Sequence, residues 1–134
     1  MPGKASGRAL VLDHGLSFAM AFDVARGCIT DVHSSHTGVS VSGRVLIMPS
    51  GRGSSSASTA LAEAIRLGTA PAAIVLTEMD EILTAGAIVA ARLYGRTCPV
   101  LMVNRDDCAS IRTGAVIDIF PEGHMSIDDR GTTP

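Results

Sequence analysis

Tryptophan is absent from this 134-residue chain, and its aromatic complement is one tyrosine and three phenylalanines. A core built on large rings is thereby excluded. Ala, Val, Leu and Ile must fill the interior, which favours small helices packed on a sheet. No run of lysine and arginine occurs and the formal net charge is −2, so the electrostatic case for a nucleic-acid partner fails. Cysteine is scarce: Cys28, Cys98 and Cys108 are an odd number without a C-x-x-C pair, so no disulfide framework is expected and the thiols read as reduced. The histidines His14, His33, His36 and His124 have no metal-ligand spacing, and no metal is expected on this chain. Long apolar runs are missing too. The longest, around positions 82–93, includes Thr84 and Gly86 and is too short to span a bilayer, so no membrane partner is expected. The first residues hold no apolar core of a secretory leader, and a cytoplasmic location is expected.

What remains is a single domain over 1–134, large enough to bury a core without crosslinks, with frayed ends expected at about 1–6 and 128–134. The front reads as β-rich, with strands expected at 8–12, 18–24 and 29–33 and a polar loop over 33–38. From Arg44 onward strands and helices alternate. Strands are expected at 44–48, 72–77, 99–103 and 115–120, and helices up to Leu67 and over 82–94, each closed by a glycine, Gly68 or Gly95. This order implies a parallel strand-helix core with right-handed crossovers, to which the front adds a second sheet or layer. The helix interior at 85–91 is apolar almost all round, so this helix is expected to be largely buried.

The segment with chemistry in it is Pro49-Ser50-Gly51-Arg52-Gly53-Ser54-Ser55-Ser56, between the 44–48 strand and the first helix. Gly51 and Gly53 permit φ > 0 and close backbone approach, and Ser54 or Ser55 is placed to cap the helix. Hydroxyls and bare N–H groups at a helix start stabilise negative charge. A plain glycine turn with a capping serine explains the same residues. Three named motifs are excluded: the dinucleotide fingerprint needs a glycine where Ser56 stands, the Walker loop needs a lysine, and G-x-S-x-G does not fit.

The segment Gly43–Ser56, together with Asp80-Glu81-Ile82-Leu83-Thr84-Ala85-Gly86-Ala87-Ile88-Val89-Ala90, resembles the small, swivel-domain subunit of the aconitase X family, across about Ala9 to Val103. Gly51-x-Gly53-Ser54-Ser55 also resembles the G-x-G-S-S turn of ordinary aconitases, whose first serine is the catalytic base. By position that role falls to Ser54. Ser56 stands where the aconitase motif has a substrate-binding arginine, so the resemblance leaves substrate binding to Arg52, Gly53, Ser55 and Ser56.

The resemblance implies a swivelling β/β/α fold in the α/β class. It also implies a dehydratase that eliminates a β-hydroxyl from a small hydroxy acid, cis-3-hydroxy-L-proline in first place and phosphomevalonate in second. An iron–sulfur cluster is implied as well, but the separated cysteines assign its ligands to a large aconitase X subunit as partner rather than to this chain. Asp80 is placed to cap the second helix. Two rivals stay open: a module that holds an anion without turning it over, and a structural subunit that closes a partner's site.

Overall fold

The computed structural model describes residues 3–32, 34–51 and 55–128. The central sheet begins with β1 (Ala5–Val11), and continues with β4 (Val45–Met48), β5 (Ala73–Leu76) and β6 (Val100–Met102), all parallel. On the other flank of β1, β7 (Val116–Ile119) and β8 (Met125–Asp128) are antiparallel, giving the order β6-β5-β4-β1-β7-β8. Strands β4 and β5 are buried at every residue because both faces of the sheet are covered, which is why they read as unbroken apolar runs.

The alternation of side chains sorts those runs into two cores. Leu10, Leu46, Met48, Ile74 and Leu76 face α1 (Ser56–Leu67), α2 (Glu81–Tyr94) and a small hairpin of β2 (Phe22–Asp23) and β3 (Cys28–Ile29). Ala9, Val45, Ile47, Ala73 and Val75 face the opposite way, under the short α3 (Arg105–Ala109) and Ile111. Gly68 and Gly95 end the two long helices in the left-handed conformation expected of a glycine at that position. Gly86 serves close packing instead. A Cβ there would lie 2.6 Å from the Ser58 carbonyl oxygen, so its lack of a side chain lets α2 press against α1.

Several expectations are corrected. The strand expected at 18–24 shrinks to two residues, because the Ser17 hydroxyl accepts from Met20 N and its carbonyl from Ala21 N, winding 17–21 into a turn. Asp23 then takes Ala25 N and Arg26 N on its carboxylate and starts the next turn. The strand expected at 29–33 ends at Ile29, where the Thr37 hydroxyl gathers the carbonyls of Asp31 and Ser34 into a loop. Of the ends expected to fray, Ala5 and Ser6 pair with Ile119 and Asp118, and Asp128 pairs with Val116, while 1–2 and 129–134 lie outside the described residues. The front is not a second sheet as a whole either, since β1 joins the main sheet and the hairpin alone forms the second one. Finally, α2 is not largely buried. Leu83, Gly86, Ala87 and Ala90 face inward, while Ile82, Ile88, Val89 and Leu93 are exposed.

Candidate active-site half

Four parallel strands end at one edge of the sheet, where open α/β folds place their chemistry. After β1 comes Leu12–Leu16, after β4 the serine loop, after β5 Thr77–Asp80, and after β6 Val103 and Asn104. These connections are tied together. The Pro49 carbonyl accepts from Thr77 N at 3.1 Å and Glu78 N at 3.0 Å, and Leu16 N points at Met48 Sδ at 3.3 Å.

Asp80 does two things at this edge. Its Oδ1 accepts from Leu83 N at 3.0 Å, capping α2 as the sequence implied, and its Oδ2 accepts from Gly51 N at 3.0 Å. One carboxylate thus fixes both the start of a helix and the start of the serine loop. Of the two freedoms a glycine offers, Gly51 does not use a positive φ. It is needed for approach: a Cβ would stand 2.6 Å from Asp80 Oδ2 and 2.9 Å from Leu83 Cδ1.

The far side of the loop is built differently. Ser55 occupies the N-cap position of α1 with a helical backbone (φ −56°, ψ −22°) and makes no side-chain cap bond, so its expected capping role is corrected. A cap needs an extended backbone to fold the hydroxyl back onto the first turn, and Ser55 lacks it. The first turn of α1 carries no acidic residue. Ser55 and Ser56 are both exposed at this end. The other two helices are closed, α2 by Asp80 with Glu81 behind it, α3 by Asn104 with Asp106 and Asp107. Arg52, Gly53 and Ser54 lie outside the described residues, as does His33. The structure therefore brings Ser55, Ser56, Gly51 and Asp80 to one edge.

Two hollows open beside the tip of β1. One of about 430 Å³ is lined by Asp13, His14, Asp31, Ser34, Ser35 and His36 among others, and one of about 410 Å³ by Asp13, Pro49, Thr77 and Arg105. Asp13 borders both. Neither Asp13 nor Arg105 stands out in the sequence by motif. Their position directly after parallel strands is the signal that could have found them. Arg105 reaches toward Glu78, Nη2 to Oε1 at 3.8 Å, at the rim. His124, by contrast, stacks on Phe120 at the opposite flank of the sheet.

Among the described residues, two of the three cysteines are poorly placed to ligate a cluster. Cys98 belongs to the core under α1 and α2, and Cys108 to the core on the other face of the sheet. Burial pushes the Cys98 thiol up to about 12, and burial with the Asp107 charge pushes Cys108 up as well, so neither is readily a thiolate ligand. Among the described residues, no group of three or more His, Cys, Asp or Glu side chains is arranged to hold a metal. None of the helices, among those residues, is long and apolar enough to cross a membrane.

Comparison with known proteins agrees with this architecture. The family model for the aconitase X swivel domain matches residues 1–127. The chain belongs to that family. Its fold superposes on aconitase X from Thermococcus kodakaraensis with a TM-score of 0.80 and 30% identity, covering 94% of this chain and 91% of that one. Among the family's curated members, the cis-3-hydroxy-L-proline dehydratase of Pseudomonas aeruginosa is 47% identical over 98 residues, 73% of this chain. This chain spans only 17% of the length of that relative. The phosphomevalonate dehydratase small subunit of Thermococcus sibiricus is 34% identical over 128 residues, covering 95% of this chain and 92% of its own length.

Proposed function

We propose that this aconitase X swivel domain is the small subunit of a two-subunit hydro-lyase and that Ser54 is its catalytic base. The observation that carries the reading is the N-terminus of α1, at the sheet edge, where Ser55 makes no side-chain cap and no acid follows, after a loop whose Gly51 is clamped by Asp80. A helix start with no acid in its first turn and no side-chain cap from its N-cap serine Ser55 favours an anion. Ser54, as an alkoxide, removes the α-proton of the hydroxy acid, and the same dipole favours the enolate-like charge that builds up. The electron pair forms the C=C bond as the β-hydroxyl departs with a proton as water. Arg52, the Gly53 N–H, Ser55 and Ser56 hold the substrate carboxylate. Donors aimed at developing charge in this way are the largest single term in many enzymes. The iron–sulfur cluster implied by the family resemblance is assigned to the large subunit.

Two facts favour cis-3-hydroxy-L-proline as substrate. Identity to the Pseudomonas aeruginosa dehydratase is the higher of the two comparisons above. In addition, of the two hollows that Asp13 borders, the one of about 430 Å³ has Asp31 on its wall and no lysine or arginine among its described lining residues, a charge pattern that suits a secondary ammonium better than a phosphate, whereas Arg105 lines the other. The second reading is phosphomevalonate, favoured by the match in length to an archaeal small subunit. The test is reconstitution with the large aconitase X subunit encoded by the same genome. The chain alone turns over nothing, and the pair dehydrates cis-3-hydroxy-L-proline. Turnover of phosphomevalonate instead selects the second reading, and an inactive but assembled pair sinks the catalytic one.

A further inference from the structure

Helix α2 has a second apolar face that the fold does not use. Its inward residues Leu83, Gly86, Ala87 and Ala90 already pack against α1 and the sheet. The outward residues Ile82, Ala85, Val89 and Leu93 follow one another at spacings of three, four and four, one stripe along the helix. Ile82, Val89 and Leu93 are 37%, 46% and 67% exposed, and Ile88 borders them. Glu81 and Arg92 are the only charged residues in the helix. The stripe starts beside the site: Met79, 72% exposed, and Ile82 flank Asp80, whose carboxylate holds the Gly51 N–H. The other strongly exposed apolar side chains at the hairpin, Met20 and Val32, form no such row.

We infer that this stripe is a docking surface for the large aconitase X subunit, received by an apolar helix or groove of that subunit. The inference rests on the two-subunit reading above, and deepens it. Two observations choose the occupant. In the Pseudomonas aeruginosa relative the matching segment is 17% of one chain, so that segment is accompanied by about five times its own length; the small-subunit relative is a chain of this size and must receive that remainder from elsewhere. A partner that completes chemistry at the serine loop has to cover the sheet edge at Gly51 and Asp80, and the stripe continues from that edge along α2. An apolar stripe at helical spacing laid into a groove is a recurring mode of recognition.

The experiment measures assembly of the full chain with the large subunit by analytical gel filtration and titration calorimetry. Val89→Glu places a charge in the stripe, and Met20→Glu, at the hairpin, is the matched control. Circular dichroism and thermal unfolding of the free variants establish that both fold. Weakening of the complex by about a hundredfold or more with Val89→Glu, and by less than threefold with Met20→Glu, is the expected result. Binding by Val89→Glu within threefold of wild type overturns the docking assignment while leaving the two-subunit reading intact. A wild-type chain that does not bind the large subunit overturns that reading as well. A self-associating chain that Val89→Glu renders monomeric, with large-subunit binding unchanged, replaces the proposed occupant by a second copy.

Discussion

Helices α1 and α2 start at the same edge of the same sheet, yet their first turns are opposites. At α2, Asp80 caps the backbone, Glu81 adds a second negative charge, and the helix start is neutralised by the chain's own residues. At α1 the N-cap serine makes no cap bond and no acid follows. A helix cap stabilises by about 1 kcal/mol, so leaving one unmade sacrifices stability. On the proposed reading, the difference marks the helix start whose positive potential serves a bound anion rather than the chain's own residues. Asp80 links the two ends, because the carboxylate that closes α2 also positions the loop leading to α1.

The strongest way to break the comparison is to cut that link. Asp80→Ala removes the cap and the acceptor of Gly51 N–H together. It is expected to destabilise the free chain by about 2 kcal/mol in urea unfolding and to lower kcat of the reconstituted enzyme by about a hundredfold through loop displacement. An unchanged kcat would show that the loop does not depend on its anchor. Gly51→Ala attacks the same contact from the other side. The added Cβ meets Asp80 and Leu83, and a loss of about 1–3 kcal/mol is expected, with lower activity.

A gentler variant sharpens the contrast by making α1 resemble α2. Ser55→Asp puts a negative charge at the open helix start. We expect a stability gain of about 0.5 kcal/mol from the helix dipole, and a KM about tenfold higher, since on the proposed reading the new charge repels the substrate carboxylate. A variant that gains stability without any change in KM would separate the helix terminus from substrate binding.

The smallest effect concerns the cysteines, which lie away from both helix starts. The folded state holds the Cys98 proton to about pH 12, against a usual thiol value of 9.0. The unfolded chain therefore releases that proton first as pH rises. The stability contributed by Cys98 is complete below pH 9 and is lost between there and about pH 12. Urea unfolding should show a loss of about 1 kcal/mol by pH 10 that is absent in Cys98→Ala. The same slope in both proteins would refute the assignment.

Legibility in the sequence followed burial and length. Strands β4 and β5, covered on both faces, and helices α1 and α2, with full periodicity and a terminal glycine, were readable. The five-residue α3 was not, because one turn and a half carries no periodicity, although Asn104 is an ordinary cap. The antiparallel β8 was missed because its four positions, Met-Ser-Ile-Asp, hold only two apolar residues. At the site, Asp80 was legible as a local cap, but its bond to Gly51 spans 29 residues of sequence and belongs to tertiary structure. The apolar circumference of α2 was misread as burial. Periodicity registers which residues are apolar, and does not distinguish a helix's own core from a face kept for a partner.

Ser54 as base at the open end of α1 is the central claim. The direct measurement is kcat of the enzyme reconstituted with Ser54→Ala, beside Ser55→Ala, with assembly verified by gel filtration. A fall of about a thousandfold for Ser54→Ala with the complex intact, and a change chiefly in KM for Ser55→Ala, is the predicted result. A Ser54→Ala enzyme that keeps kcat within tenfold of wild type would contradict the claim and leave the loop as a binding element alone.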